Sequence, residues 1–284
     1  MELWSGYRIQ FNGMECYPWQ QEAKTKLTEA LAKLVTVPGS ALSGYYDSTD
    51  PRPTDAENSL FTNCLEAMPT GVRFLSFEQG PSCPPPPMSP IDLVDNHLHY
   101  YRYQANCQWT EWEADRTLAR WNRVPRRVPG DGSARPAWFA LREGNNAGRV
   151  QLTGEKLGQQ SDFGIKVIIH ATRSGPRNAI TNSESVVDGI IAAFHNDCFS
   201  NDLLAALAPK LPKIPTDDLR RALDQPIGPL FDTPAITHSK ADFVQISPAD
   251  ERCRIGELVI CNDSTSQWPE LSGELFTIRP AKAV

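Results

Sequence analysis

The stretch Gly164-Ile165-Lys166-Val167-Ile168-Ile169-His170 is the strongest strand signal in this chain. It is dominated by β-branched residues, which favour extended backbone. A loop rich in Gly, Ser and Pro follows, and then apolar residues recur at helical spacing over residues 183–195. Strand, loop and helix in succession predict a fold that contains both kinds of element.

Other segments support a mixed α+β fold. The clearest amphipathic helix is predicted over residues 19–35, and a second helix over residues 55–68. Short helices are predicted over residues 113–123, 201–208 and 216–223. Strands are predicted over residues 7–11, 72–77, 91–103, 243–246, 257–261 and 274–278. Residues 38–54 and 125–136 are predicted as loops because they are rich in Gly, Pro, Ser and Asp.

Six prolines in the ten residues 81–90 predict an extended connector. The predicted fold class is therefore α+β, with two mixed α/β units joined by this proline-rich connector and an Arg-rich segment. The units are residues 1–80 and 151–284, with the connector and the Arg/Trp-rich segment at 81–150. Residues 6–11 and 164–169 share the pattern Gly-apolar-basic-apolar-x-apolar, which indicates either a common local pattern or an old duplication.

Composition favours a globular protein of the cytoplasm. Hydrophobic residues make up 40% of the chain and charged residues 22%, as expected for a chain that builds a core. No apolar run is long enough to span a membrane and no signal peptide is evident, so no membrane partner is expected. The seven cysteines show no CxxC spacing, which predicts reduced thiols rather than a zinc site.

An acidic cluster lies at the start of the predicted second helix. Asp55 and Glu57 are candidate catalytic residues and candidate ligands of Mg²⁺ or Mn²⁺, which prefer carboxylate oxygens. Residues at i and i+2 point apart on a helix, so both bind one ion only where the backbone is not yet helical. The alternative is that both acids stabilise the N-terminus of the helix through its dipole.

The hexamer Pro53-Thr54-Asp55-Ala56-Glu57-Asn58 resembles the Pro-Asp-x-Asp-Asn signature of RusA-type Holliday-junction resolvases. In that family the acidic residues bind divalent metal at the start of a helix, and the resemblance implies the same use of Asp55 and Glu57. The likeness covers six residues. It departs from the signature by Glu57 in place of Asp, by the inserted Thr54 and by the lack of a lysine one turn later, so we do not assign the chain to this family.

A His-x-His pair offers a second candidate metal site. Alternation along a strand places His97, His99 and Asp95 on one face, where they are suitable ligands for zinc or another transition metal. The alternative is a pair of strand histidines without a metal.

The positive charge of the chain is concentrated in one segment. The net charge is −6, but residues 114–150 hold eight arginines against three acids. Arginines bind phosphates and tryptophans stack on bases, which makes this segment a candidate nucleic-acid interface. The alternative is that its arginines pair with carboxylates of this protein or of a protein partner. The candidate residues are Arg116, Arg120, Trp121, Arg123, Arg126 and Arg127.

Two functions follow as hypotheses. The first is a cytoplasmic nucleic-acid-associated protein that acts as a divalent-metal-dependent nuclease through Asp55 and Glu57. The second is a non-catalytic protein–protein interaction component of a larger assembly. No Walker A, GxGxxG, GxSxG or HExxH motif is present, which argues against nucleotide-dependent kinases, dehydrogenases, serine hydrolases and zincins.

Overall fold

The structure is a computed structural model that describes residues 1–11, 18–35, 39–86, 97–106, 108–128, 133–158, 160–173, 178–197, 199–239 and 243–282. The helices are α1 (Pro18–Leu34), α2 (Arg135–Asn146), α3 (Ser183–Ala193), α4 (Asn201–Leu207) and α5 (Thr216–Asp224). Short helical turns cover Asn58–Thr62, Leu65–Ala67, Ile180–Asn182, Ala208–Lys210 and Asp250–Arg252.

The strands are β1 (Glu2–Ser5), β2 (Ala41–Ser48), β3 (Phe74–Gln79), β4 (His99–Gln104), β5 (Trp112–Pro125), β6 (Val150–Leu152), β7 (Phe163–His170), β8 (Ile236–Ser239), β9 (Phe243–Ile246), β10 (Cys253–Cys261) and β11 (Glu270–Pro280). Helices and strands are both extensive, so the α+β class is confirmed.

Nine of the described strands form one mixed sheet, in the order β1-β4-β2-β3-β10-β7-β11-β5-β6. Two neighbouring pairs are parallel, β2 with β3 and β10 with β7. The other neighbours are antiparallel. Strands β8 and β9 form a separate hairpin. The proline-rich segment leads from β3 to β4, and its residues 87–90 lie outside the described residues.

The topology of the sheet repeats. The first half contains β1, α1, β2, β3 and β4, and its strands lie in the order first, fourth, second, third. In the second half, β5, β7, β10 and β11 are the first to fourth strands and lie in the same spatial order. Neighbouring strands also pair in the same directions as in the first half. The antiparallel pair β3–β10 joins the halves, with Leu75 opposite Leu258. The division into units 1–80, 81–150 and 151–284 stays a prediction about independent folding.

The predictions for α1, α3, β3, β7, β9, β10 and β11 are confirmed to within a few residues at their ends. The predicted helix over residues 113–123 is wrong, because this segment lies in strand β5. Pairing with β11 on one side and β6 on the other buries Leu118, Ala119 and Trp121 of β5. That burial outweighs the helical spacing of the exposed arginines.

Three further predictions are corrected. Residues 38–54 contain strand β2, and α2 begins at Arg135, inside the predicted loop 125–136. Residues 7–11 are not a strand, although Ile9 and Phe11 are buried. There the backbone N–H of Ile9 donates to the Tyr101 hydroxyl at 2.9 Å instead of to a neighbouring strand.

Helix α3 packs closely on α2 because position 189 is glycine. A Cβ atom there would lie 2.2 Å from the carbonyl oxygen of Ala134, well inside van der Waals contact. The apolar positions of α3, including Val187 and Ile190, are fully buried. This packing fixes the position of the partly buried Asp188 on the same helix.

Candidate metal centre

Three aspartates from distant parts of the chain converge. Asp55 lies just before the helical turn Asn58–Thr62, Asp188 lies on α3, and Asp250 begins the turn that leads into β10. One carboxylate oxygen of each lies within 4.8 Å of those of the other two. Among the described residues, this is the group of His, Cys, Asp and Glu side chains with a geometry suited to a metal ion.

Local hydrogen bonds position two of these aspartates. Asp55 Oδ1 accepts a hydrogen bond from the backbone N–H of Asn58 at 3.2 Å, and Asp250 Oδ1 accepts one from Glu251 at 3.1 Å. Asp55 therefore caps the helical turn, as the helix-stabilising interpretation requires. Capping and metal binding are compatible here, because a carboxylate has two oxygens and several acceptor positions.

Glu57 lies beside the three aspartates and is almost completely buried, at 2% exposure. Its Oε1 accepts a short hydrogen bond from the Ser183 hydroxyl at the start of α3. Its Oε2 is buried and has no hydrogen-bond partner. A buried oxygen without a partner is costly, so Glu57 carries an unused acceptor in the immediate neighbourhood of the cluster.

Burial and the closeness of the other carboxyl groups perturb the pKa values of this cluster. Burial raises the pKa values of Asp55, Glu57 and Asp188 well above the usual range for carboxyl groups, and repulsion between the carboxylates raises them further. Burial also raises the pKa of Asp250 to about 6. A proton held between Asp55 and Asp250 would relieve the repulsion between them. A divalent cation would replace such protons and offset the repulsion.

Metal binding by Asp55 and Glu57 stays a prediction, and the structure places the two residues differently. Asp55 meets two further carboxylates, whereas Glu57 is bonded to Ser183 and lies next to the group of three. The sequence analysis missed Asp188 and Asp250. No short motif contains them, since they come close to Asp55 only through the packing of α3 and the turn before β10.

The predicted nucleic-acid residues lie on or near β5, and most are paired within the protein. Arg116 contacts Glu155, Arg120 contacts Glu274 and Arg127 contacts Glu143, each at 3.1–3.2 Å. Arg123 contacts both Asp263 and Glu270. Arg126 and Trp121 are buried. The intramolecular pairing considered from the sequence is thus present.

Three of the predicted residues nevertheless line one pocket, which we call the arginine pocket. It has a volume of about 500 Å³, and Arg120, Trp121 and Arg123 line it together with Arg149. Arg149 donates to the backbone carbonyl of Arg123 at 2.7 Å. The pocket therefore combines several guanidinium groups, which suit a phosphate.

The His-x-His pair shows no metal geometry among the described residues. His99 Nδ1 lies 2.9 Å from the Tyr46 hydroxyl, and burial lowers the pKa of His99 to about 4. Its hydrogen bond to Tyr46 accounts for this buried imidazole. Asp95, the third predicted ligand, lies outside the described residues.

A large cleft lies at one end of the sheet, and we call it the sheet-end cleft. It lies where β2 and β3 end and where β7 and β10 begin, and its volume is about 740 Å³. Thr54 and Glu251 line it. These residues directly precede Asp55 and follow Asp250 in the chain. The three aspartates themselves do not line this cleft, and Asp188 lines a separate pocket of about 200 Å³ together with Ser185 and Ile246.

No protein-family model, curated protein or solved structure matches this chain. The likeness to the resolvase signature therefore rests on residues 53–58 alone. In the described part of the chain, no helix has the length and apolar character needed to cross a membrane.

Proposed function

We propose that this protein is a divalent-metal-dependent nuclease of the cytoplasm, in which Asp55, Asp188 and Asp250 hold Mg²⁺ or Mn²⁺. The observation that carries the proposal is the convergence of these three carboxylates within 4.8 Å. An oxygen-only ligand set suits Mg²⁺ and Mn²⁺ better than zinc or copper.

Glu57 gives independent support. A carboxylate that is 2% exposed and has one unpartnered oxygen is costly to the folded protein unless something contacts it. Beside the aspartates, its Oε2 is available as a further cation ligand or as an acceptor for a metal-bound water. A purely helix-capping role for this segment leaves that oxygen unexplained.

The neighbouring cleft supports a phosphate-containing substrate. Arg52, Arg252 and Arg254 line the sheet-end cleft. Guanidinium groups bind phosphate oxygens in a bidentate manner, even where they also contact carboxylates. The arginine pocket on β5 offers a second position at which a longer nucleic acid would contact the protein.

The carboxylates in this scheme bind and orient, and the cation supplies the chemistry. A bound divalent ion stabilises developing negative charge on a phosphate and lowers the pKa of a bound water. Asp55, Asp188 and Asp250 would hold the cation. The arginines of the cleft hold the phosphate against it.

The proposal predicts metal-dependent cleavage of labelled single- or double-stranded DNA or RNA oligonucleotides. We expect cleavage in Mg²⁺ or Mn²⁺ and none in EDTA. Asp188→Asn should reduce the rate by about 100-fold or more, because metal catalysis contributes several kcal/mol to transition-state stabilisation. The matched control is Asp224→Asn, which changes an exposed aspartate at the end of α5 and should leave the rate unchanged.

Absence of cleavage of all four substrates in both metals would overturn the nuclease proposal. The non-catalytic interaction component would then be the remaining hypothesis. Equal rates for Asp188→Asn and the wild type would show that any cleavage arises elsewhere.

A further inference from the structure

The floor of the sheet-end cleft carries two hydrogen-bond acceptors that the protein does not use. Asp47, at the end of β2, is 5% exposed, and Gln79, at the end of β3, is 9% exposed. Asp47 Oδ1 accepts a hydrogen bond from the Ser48 N–H at 2.7 Å. Asp47 Oδ2 and Gln79 Oε1 are buried and have no partner. Both residues line the cleft, so a ligand with N–H donors would satisfy them.

The sides of the cleft have a different character. Arg52 is exposed and pairs with Asp50, while Arg254 pairs with Asp162 at 3.0 Å. With Arg252, these residues place three guanidinium groups around the opening. The same lining holds the carboxylates of Asp50, Asp162 and Glu251, so the guanidinium groups offer donors to a phosphate in surroundings of mixed charge.

An indole lies between the floor and the sides. Trp112 donates its Nε1–H to the backbone carbonyl of Gln79 at 2.7 Å, which fixes the ring beside the unused acceptor of the same residue. The ring is partly exposed and lines the cleft. A planar group in the cleft would therefore find a stacking surface next to its hydrogen-bonding partners.

Few ligand classes meet all three requirements. A free phosphate would leave the floor acceptors unsatisfied, and an amine alone would make no use of the guanidinium donors. A nucleotide whose base carries an exocyclic amine has N–H donors at one end, a planar ring, and a phosphate at the other. The volume of about 740 Å³ is ample for one nucleotide.

We propose that the sheet-end cleft binds one nucleotide of the substrate and selects a base with an exocyclic amine through Asp47. The inference rests on the proposed function, since it places the phosphate of that nucleotide towards Asp55 and Asp250. It adds a specificity site to the cleavage site. The amine donates to Asp47 Oδ2, and the base stacks on Trp112.

Calorimetric titration in EDTA tests this inference without metal or cleavage. The probes are two pairs of nucleoside 5′-monophosphates, and in each pair one base has an exocyclic amine where the other has a carbonyl group. The first pair is the cytidine and uridine monophosphates, and the second is the adenosine and inosine monophosphates. We expect the amino member of at least one pair to bind at least about ten-fold more tightly than its keto partner. A buried carboxylate oxygen accepts a hydrogen bond from the amine of the base, whereas it repels the oxygen of a carbonyl group.

Asp47→Asn provides the sharpest variant. The Ser48 N–H should hold the amide oxygen where Oδ1 now lies, which places the amide NH₂ where Oδ2 now lies. The site then offers a donor, and the preference should reverse towards the keto nucleotide. Asp50→Asn is the matched control, since Asp50 lines the same cleft but already pairs with Arg52, and it should keep the preference of the wild type.

Equal affinities within both pairs, no binding of any of the four at millimolar concentration, or an unchanged preference in Asp47→Asn would overturn the inference. These outcomes are distinct from failure of the proposed function. A preference for amino bases in a protein that cleaves no nucleic acid would support the nucleotide cleft and refute the nuclease. Metal-dependent cleavage without any base preference would support the nuclease and refute the base-selecting cleft.

Discussion

Asp47 is a buried carboxylate with one oxygen that accepts no hydrogen bond. Burial raises its pKa from an ordinary value of 3.8 to about 6. Because the pKa of the folded state exceeds that of the unfolded state, folding takes up a proton between about pH 4 and pH 6. The wild type should therefore lose stability as the pH rises through this window and stay less stable above it.

Asp47→Asn removes this penalty. We expect the variant to match the wild type near pH 4 and to exceed it at pH 8 by up to about 3 kcal/mol, since one pKa unit corresponds to about 1.36 kcal/mol. Urea denaturation at the two pH values measures the difference. Asp50→Asn should behave in the opposite way, because Arg52 lowers the pKa of Asp50. A destabilising Asp47→Asn at pH 8 would contradict this account.

At the residue scale, the sequence could predict only part of the candidate site. Asp55 and Glu57 were identifiable because proline, acids and asparagine cluster before a helix. Asp188 lies in the middle of α3, where an isolated acid indicates solvent exposure. Asp250 begins a turn with no motif of its own. Both reach Asp55 through long-range packing, which local patterns do not contain.

At the scale of elements, β5 shows why spacing alone misled. Arg116, Arg120 and Arg123 recur at helical intervals, yet the segment is a strand with register shifts against β11. Arg123 even has a positive φ of 49°, which interrupts regular alternation. Strand β7 was predictable because its continuous apolar run is typical of a strand with neighbours on both sides and covered faces.

The arginine pocket gives a prediction about nucleic-acid binding. If Arg120 and Arg149 contact phosphates, affinity should fall steeply with salt. Alanine at either position should then reduce the slope of log K against log[salt] by about 0.9 on duplex or about 0.7 on single strands. Fluorescence anisotropy across several salt concentrations in EDTA measures these slopes.

Arg279→Ala is the matched control for that experiment. Arg279 is also exposed and ion-paired, with Glu113 at 2.8 Å, but does not line the pocket, so its slope should equal that of the wild type. Unchanged slopes for Arg120→Ala and Arg149→Ala would remove the pocket from the interface. No binding at low salt would favour the protein-interaction hypothesis. Nucleic-acid binding by Arg116, Arg126 and Arg127 stays a prediction.

At the scale of the whole molecule, the repeated topology gives the duplication hypothesis a different basis. The sequence pattern paired residues 6–11 with 164–169, but the topological counterpart of β7 is β2, not the segment that follows β1. The two halves have diverged in composition, and α4, α5 and the β8–β9 hairpin are inserted between α3 and β10 of the second half alone. A local sequence pattern carries no information about which strands are neighbours in the sheet, so it could not reveal this repeat.

The candidate metal centre draws on both halves. Asp55 follows β2 of the first half, while Asp188 and Asp250 belong to the second. A cation bound by all three therefore connects the halves, which the central β3–β10 pair already joins. Binding to the folded state alone should stabilise the whole molecule.

Calorimetric titration of Mn²⁺ into the wild type, Asp188→Asn and Asp224→Asn at pH 7.5 and pH 5 tests the central claim most directly. We expect saturable binding to the wild type at pH 7.5, at least about ten-fold weaker binding to Asp188→Asn, and wild-type affinity in Asp224→Asn. At pH 5 binding should weaken, because the raised pKa values of the aspartates leave them protonated and the cation must displace those protons. No binding to the wild type at millimolar Mn²⁺, or equal affinities for all three proteins, would contradict a metal centre at Asp55, Asp188 and Asp250.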